Sequence, residues 1–299
     1  MIFFSFSPTV TRMSVLILGK FSGMENCIFS SSILITAMIF LISYCKHSAV
    51  LTIFLERRMM EKKEKRRDRM KAILFDLDGT IHDRHTTLRR FLTDQFQRFQ
   101  SELHGVSESD FTAAFLKLDE NGYVEKPIVY KELLSRFSLN PNMEPVLTAD
   151  YFDRVAQFAV AFPDALETLQ ELSMSYTLGV VTNGPALLQQ QVIEQLGLYW
   201  HCQSLIISEA VGLRKPDPAI FEMALLEVEA AASEAVFVGD HAEVDIAGSK
   251  NAGLQPVFFG GKLEGVPSFS DWRVLPALLA NWNRSERKIN GDYTIMDMD

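Results

Sequence analysis

Residues 71 to 83 read Lys-Ala-Ile-Leu-Phe-Asp-Leu-Asp-Gly-Thr-Ile-His-Asp, an apolar run that ends on two carboxylates, Asp76 and Asp78. Ile73, Leu74 and Phe75 predict a strand buried on both faces, the habit of a parallel sheet sandwiched between helices. Side chains alternate along a strand, so Asp76 and Asp78 share a face at its carboxyl end, and Gly79 and Thr80 begin the exit turn. Ligands of open parallel α/β sheets bind at that edge. A carboxylate pair there either holds a cation or splits its two pKa values. A strand ending in a solvated acidic turn has the same five letters, so the remaining chain must decide.

After Asp83 the continuous apolar run gives way to apolar residues recurring every three to four positions. Leu88, Phe91, Leu92, Phe96 and Phe99 mark one amphipathic helix closing near Gly105, and Phe111, Ala114, Phe115 and Leu118 mark a second. Residues 129 to 137 and 151 to 162 predict two more, separated by a loop over residues 141 to 145. Short continuous apolar runs then return. Residues 176 to 181, 204 to 208, 235 to 238 and 255 to 259 predict four further strands, with helices over 163 to 172 and 187 to 196 and a closing helix over 271 to 282. The fold class is therefore α/β: a Rossmann-like parallel-sheet core with an inserted helical domain.

Several predicted strands run into polar turns. One ends in Thr182-Asn183-Gly184; another is followed by Lys215-Pro-Asp-Pro, whose prolines restrict the loop; a third runs into Gly239-Asp240, with Asp245 five residues further on. Taken in order with Asp-Leu-Asp-Gly-Thr, these resemble the four motifs of the haloacid dehalogenase superfamily, in the branch with a helical cap after the first motif. The segment from Thr182 to Gly253 is similar to the pyrimidine-nucleotidase-like and sugar-phosphate phosphatases of that family. The resemblance covers roughly residues 70 to 282. It implies a core of residues 70–83 and 161–284, a cap of residues 84–160 and a polar tail of residues 285–299.

The resemblance also implies a hydrolase acting on a small phosphate monoester of the nucleotide or sugar phosphate class. Asp76 would be the nucleophile that becomes an aspartyl-phosphate, and Asp78 the general acid and base. Thr182, Asn183 and Lys215 would bind the phosphoryl oxygens. Mg²⁺ would be held by the Asp76 and Asp240 side chains and the Asp78 main-chain carbonyl, with Asp245 orienting the site. Two alternatives stand beside this: a non-catalytic or regulatory protein of the same fold, and a dehalogenase, against which a proton donor at position 78 argues. His85, Arg89, Asn121, Tyr123 and Lys126 read as ordinary cap surface, Arg214 as a surface neighbour of Lys215, and His241 as no catalytic base.

Charge and cysteine usage narrow the partners. Residues 1 to 69 hold 11 Lys and Arg against 5 Asp and Glu, a net of +6, so the −9 of the whole chain leaves −15 for the rest. A part that acidic, without a basic patch after residue 71, repels nucleic acid. Cys27, Cys45 and Cys202 fit no metal spacing and no disulfide framework, which suits a reducing, cytoplasmic compartment.

Residues 27 to 45 are nineteen uncharged positions, about the length that spans a bilayer core. Read as an anchor, residues 28 to 44 form a membrane helix, and Arg57, Arg58, Lys62, Lys63, Lys65, Arg66, Arg67 and Arg69 keep the catalytic part on the cytosolic side. Read as a mis-assigned start, the charged run over residues 61 to 68 is a translated ribosome-binding region, and the protein begins at Met59, Met60 or Met70. A slight preference goes to the second, since no catalytic motif precedes residue 71.

Overall fold

The computed structural model describes residues 4–7, 10–15 and 70–280. The chain divides into two compact units, Met1–Lys63 and Glu64–Asp299. In the first, β1 (Phe4–Ser7) and β2 (Val10–Val15) pair as an antiparallel hairpin, with a register shift between Phe6 and Ser7. The apolar segment and the basic run read above as an anchor or an untranslated leader lie outside the described residues. Among the described residues no helix is long and apolar enough to cross a membrane.

The second unit is built on a parallel sheet of β3 (Ala72–Phe75), β4 (Thr177–Thr182), β5 (Ser204–Ile207), β6 (Ala235–Gly239), β7 (Gln255–Phe259) and β8 (Ser268–Phe269). The strand order is β5-β4-β3-β6-β7-β8, so successive strands are laid down to one side of β3 and then, from β6 onward, to the other. The crevice of such a sheet opens where the direction reverses, at the carboxyl ends of β3 and β6. Every residue of β3 is 0% exposed, and this central position explains why its sequence is wholly apolar rather than alternating. The edge strand β8 escaped the sequence reading because two residues carry no measurable period.

Between β3 and β4 the chain leaves the sheet for four helices: α1 (Arg84–Arg98), α2 (Glu108–Asp119), α3 (Lys126–Arg136) and α4 (Glu144–Arg154). They enclose their own apolar cluster, including Phe91, Phe111, Phe115, Tyr130 and Leu133. The fourth helix starts well before the predicted residue 151. Pro145 sits in its first turn, where the missing N–H has no intrahelical acceptor to lose, so a proline read as loop is in fact a helix start. A single 3₁₀ turn, Val155–Phe158, ends this segment. Residues 159 to 162 then return beside the outgoing strand end: Asp83 N donates to Val160 O at 2.9 Å and Phe162 N to Ile81 O at 2.9 Å. Asp83 also caps α1, its carboxylate accepting from Thr86 N at 2.9 Å.

Back in the core, α5 (Ala165–Ser173), α6 (Ala186–Gln195), α7 (Ser208–Val211), α8 (Pro218–Glu227) and α9 (Gly248–Asn251) cover the sheet. Leu188 of α6 packs against both the core cluster and the cluster of the inserted helices. The last predicted helix appears as a 3₁₀ turn, Trp272–Val274, followed by helical residues 275–280.

Candidate active site

Asp76 is the first residue beyond β3. It is 6% exposed, and its main-chain N–H donates to Val238 O at 2.8 Å, which ties it to the neighbouring strand β6. Asp240 follows the last residue of β6. Gly79 lets the two loops meet: its φ is +89°, and a Cβ there would lie 2.2 Å from Asp240 Oδ2. Any other residue would be strained and would displace the carboxylate. Asp245 lies in a π-helical turn, Ala242–Ala247, and accepts from His241 N at 3.1 Å.

Oxygens of Asp76, Asp240 and Asp245 lie within 4.8 Å of one another. Burial, followed by the charge of Asp245, pushes the Asp240 carboxyl up to about 6. Burial also raises Asp76 well above the ordinary carboxylate range, and Lys215 only partly offsets it. Lys215 Nζ reaches Asp76 Oδ1 at 2.5 Å and Asp245 Oδ1 at 2.8 Å. Burial acts against its ammonium, but the two carboxylates outweigh burial and hold it protonated. Three clustered acids with one buried cation leave an excess of negative charge, and hard carboxylate oxygens in that arrangement suit Mg²⁺.

Asp78 is not in that cluster. Its Oδ1 lies 2.6 Å from His82 Nδ1, and its Oδ2 accepts from Gln189 Nε2 at 2.8 Å. Burial opposes its charge, yet the His82 hydrogen bond and the charges of His82 and Arg84 hold the carboxyl down at about 2. His82 Nε2 lies 2.8 Å from Thr87 Oγ1, which also accepts from Val160 N at 3.2 Å.

Thr182 closes β4 and is 1% exposed, and among the described residues its Oγ1 has no hydrogen-bond partner. Such a hydroxyl is costly unless something else donates or accepts there. Asn183 is engaged differently from what sequence implied. Its Oδ1 accepts from Lys215 N at 3.0 Å and its Nδ2 donates to Lys215 O at 3.0 Å, so the side chain holds the lysine loop. The structure thus gathers Asp76, Lys215, Asp240 and Asp245, turns Asp78 toward α6, and places Asn183 behind the lysine.

Three placements differ from expectation or were not foreseen. Lys126, read as surface, is 7% exposed and meets Asp119 Oδ1 at 2.5 Å, while Arg84 reaches Asp119 Oδ2 at 2.8 Å. Asp119 ends α2 and Lys126 begins α3, seven residues on, while Arg84, the first residue of α1, joins them only because the three helices share one end of the inserted bundle. His82, two residues beyond Asp-Leu-Asp-Gly-Thr, carries no pattern in the sequence that links it to Asp78. Gln189 had a weak signal, a polar residue on the face of α6 that also carries the buried Val192 and Ile193. His241 Nδ1 accepts from Glu243 N and Val244 N at 3.3 and 3.2 Å, capping the turn that carries Asp245. Arg214 is exposed.

Residues 70–253 match the family model of the haloacid dehalogenase-like hydrolases. The chain belongs to that family. Among curated relatives of this hydrolase is a glyceraldehyde 3-phosphate phosphatase of Methanopyrus kandleri, 30% identical over 63% of this chain and 83% of the relative. The pyrimidine 5'-nucleotidase YjjG of Escherichia coli is 32% identical over 61% of this chain and 82% of its own. A ribulose-1,5-bisphosphate 5-phosphatase of Halopiger xanaduensis is 29% identical, over 63% and 84%. In structure, the hydrolase shares its fold with YfnB of Bacillus subtilis, solved with magnesium (TM-score 0.59, 20% identity, 71% of this chain and 99% of that one). A 2-haloacid dehalogenase from Pseudomonas syringae gives a TM-score of 0.50 at 27% identity, over 71% and 99%.

Proposed function

We propose that this hydrolase is a phosphatase that cleaves a small phosphate monoester, of the sugar phosphate or nucleotide class, through an aspartyl-phosphate on Asp76. The observation that carries this reading is the group of three acidic oxygens gathered against Lys215 at the reversal point of the sheet. Relatives named for phosphatase and 5'-nucleotidase activity support the substrate class.

A phosphate monoester brings about two negative charges toward an anionic nucleophile. Mg²⁺, held by the Asp76 and Asp240 side chains and the Asp78 main-chain carbonyl with Asp245 alongside, would neutralise that charge and polarise the phosphoryl group. The chain supplies the rest. Lys215 and the partnerless Thr182 hydroxyl meet the other phosphoryl oxygens, and Asn183 fixes the loop that carries Lys215. Asp76 attacks phosphorus as the ester P–O bond breaks, and Asp78 gives its proton to the departing alkoxide. Asp78 then takes a proton from the water that cleaves the aspartyl-phosphate, returning phosphate and free Asp76. At rest Asp78 is ionised, so its proton has to arrive with substrate binding, when phosphate nearby and exclusion of water favour the neutral acid.

In this reading residues 70–83 and 161–284 are the catalytic core, and residues 84–160 are a cap that closes over bound substrate and keeps water out. Arg84 and Lys126, both paired with Asp119, are near enough to Asp78 for charge to act between them. A dehalogenase would have no use for an acid at position 78 or for the acidic cluster. Replacing Asp76 by Asn is expected to abolish Mg²⁺-dependent hydrolysis of p-nitrophenyl phosphate by the purified protein. A variant as active as the parent would remove Asp76 as nucleophile.

A further inference from the structure

We infer that Gln189 is a positioning residue for Asp78, holding the carboxyl in the one rotation from which it can protonate the leaving group. The inference rests on the phosphatase reading, in which Asp78 is the acid and base. A carboxylate only accepts, so the amide facing it must present Nε2, as it does at 2.8 Å. With His82 on Oδ1 and Gln189 on Oδ2, both oxygens are held and the group cannot spin about its Cβ–Cγ bond. Each carboxylate oxygen has a second lone pair, which leaves room for the transferred proton.

Packing does not call for this residue. Gln189 is 3% exposed, and the orientation that serves Asp78 leaves its Oε1 buried without a hydrogen-bond partner. Leu or Met would fill the same volume without an orphaned acceptor, so the polar side chain is retained at a cost. The backbone is arranged to admit it. A Cβ at Gly184 would lie 2.5 Å from Gln189 Nε2, so glycine is what lets the amide reach Asp78. The start of α6 is also fixed from the neighbouring loop, with Gly184 N donating to Ser208 Oγ at 3.1 Å and Ala186 N to Glu209 Oε2 at 2.6 Å.

The rival account is that Gln189 merely ties α6 to the loop after β3. A tie would affect every substrate alike, whereas positioning of the acid matters in proportion to how much the leaving group needs a proton. The test compares p-nitrophenyl phosphate with phenyl phosphate, similar in size but with a much more basic leaving group, using the full chain with Mg²⁺. General acid catalysis is typically worth about 10²- to 10⁴-fold, and its positioning part about 10- to 100-fold. In both Gln189→Met and Gly184→Ala, kcat on phenyl phosphate is expected to fall by roughly that smaller factor, with p-nitrophenyl phosphate and both KM values little changed. Gly184→Ala removes no atom of Gln189 but forces its amide away from Asp78, so it decides by the same criterion should Gln189→Met fail to fold. Equal losses on the two esters, or none, overturn the inference while leaving the phosphatase reading intact. A parent protein inert toward both esters overturns that reading and this inference together.

Discussion

Asp76 and Asp78 are chemically the same residue in opposite electrostatic states. Asp76 is buried against two further carboxylates, which favours its proton, and Asp78 is held ionised by His82, Arg84 and Gln189. A nucleophile has to be ionised and a general acid protonated, so the split in the metal-free protein runs opposite to those roles, and a bound cation beside Asp76 and a phosphate beside Asp78 would have to reverse it. Asp78→Asn keeps the main-chain carbonyl but cannot donate a proton. Its kcat on phenyl phosphate is expected to fall by about 10²- to 10⁴-fold, far more than on p-nitrophenyl phosphate. Similar losses on both esters would take Asp78 out of the acid role. Gly79→Ala is expected to weaken Mg²⁺ binding, because the new Cβ would occupy the position of Asp240 Oδ2. Titration calorimetry with Mg²⁺ alone reads this, and unchanged affinity would separate Gly79 from the cluster.

The inserted helices are joined at one end by two cations sharing a carboxylate. Asp119 is 1% exposed, and burial, which opposes its charge, is outweighed by Arg84 and Lys126. Lys126 is in turn lowered by burial despite Asp119. Removing one partner of such a group leaves uncompensated buried charge, which costs about 3–5 kcal/mol. Asp119→Ala is therefore expected to lower the denaturation free energy by roughly that amount. Asp119→Asn, which keeps the shape, should lose less. A denaturant series that finds Asp119→Ala as stable as the parent would show that the triad does not hold α1, α2 and α3 together.

For the whole core, the acid cluster predicts a stability that depends on pH and metal in opposite ways. Asp240 titrates near 6 when folded, above an ordinary carboxyl of about 3.9, so folding favours its proton. Its contribution is fully present below about 4 and is lost as the pH rises through about 6. Asp76 acts in the same direction, whereas Asp78, held at about 2, is ionised across that window and contributes no slope. The metal-free thermal midpoint should therefore rise from pH 7.5 to pH 5. Mg²⁺ should raise it more at pH 7.5 than at pH 5, since the ion needs ionised ligands. A midpoint that falls steadily from pH 7.5 to 5 without metal would contradict the raised pKa values.

The sequence by itself determined the class of sheet, the inserted helices and the strand ends where polar side chains gather, because a buried strand has to be continuously apolar and the turn after it has to be polar. Ile73 to Phe75 and Val236 to Val238 are legible in that way, and so are Asp76, Thr182 and Asp240 at the ends of such runs, while Lys215 is marked by the prolines that follow it. The tertiary structure alone decided which side chains meet. Nothing local in the chain says that Gln189 reaches Asp78, that Asn183 grips the Lys215 backbone, or that Lys126 turns inward to Asp119. Those contacts join positions that only the strand order and the packing of α1, α2, α3 and α6 bring within hydrogen-bond distance. A single side chain carries no periodicity from which its partner can be read.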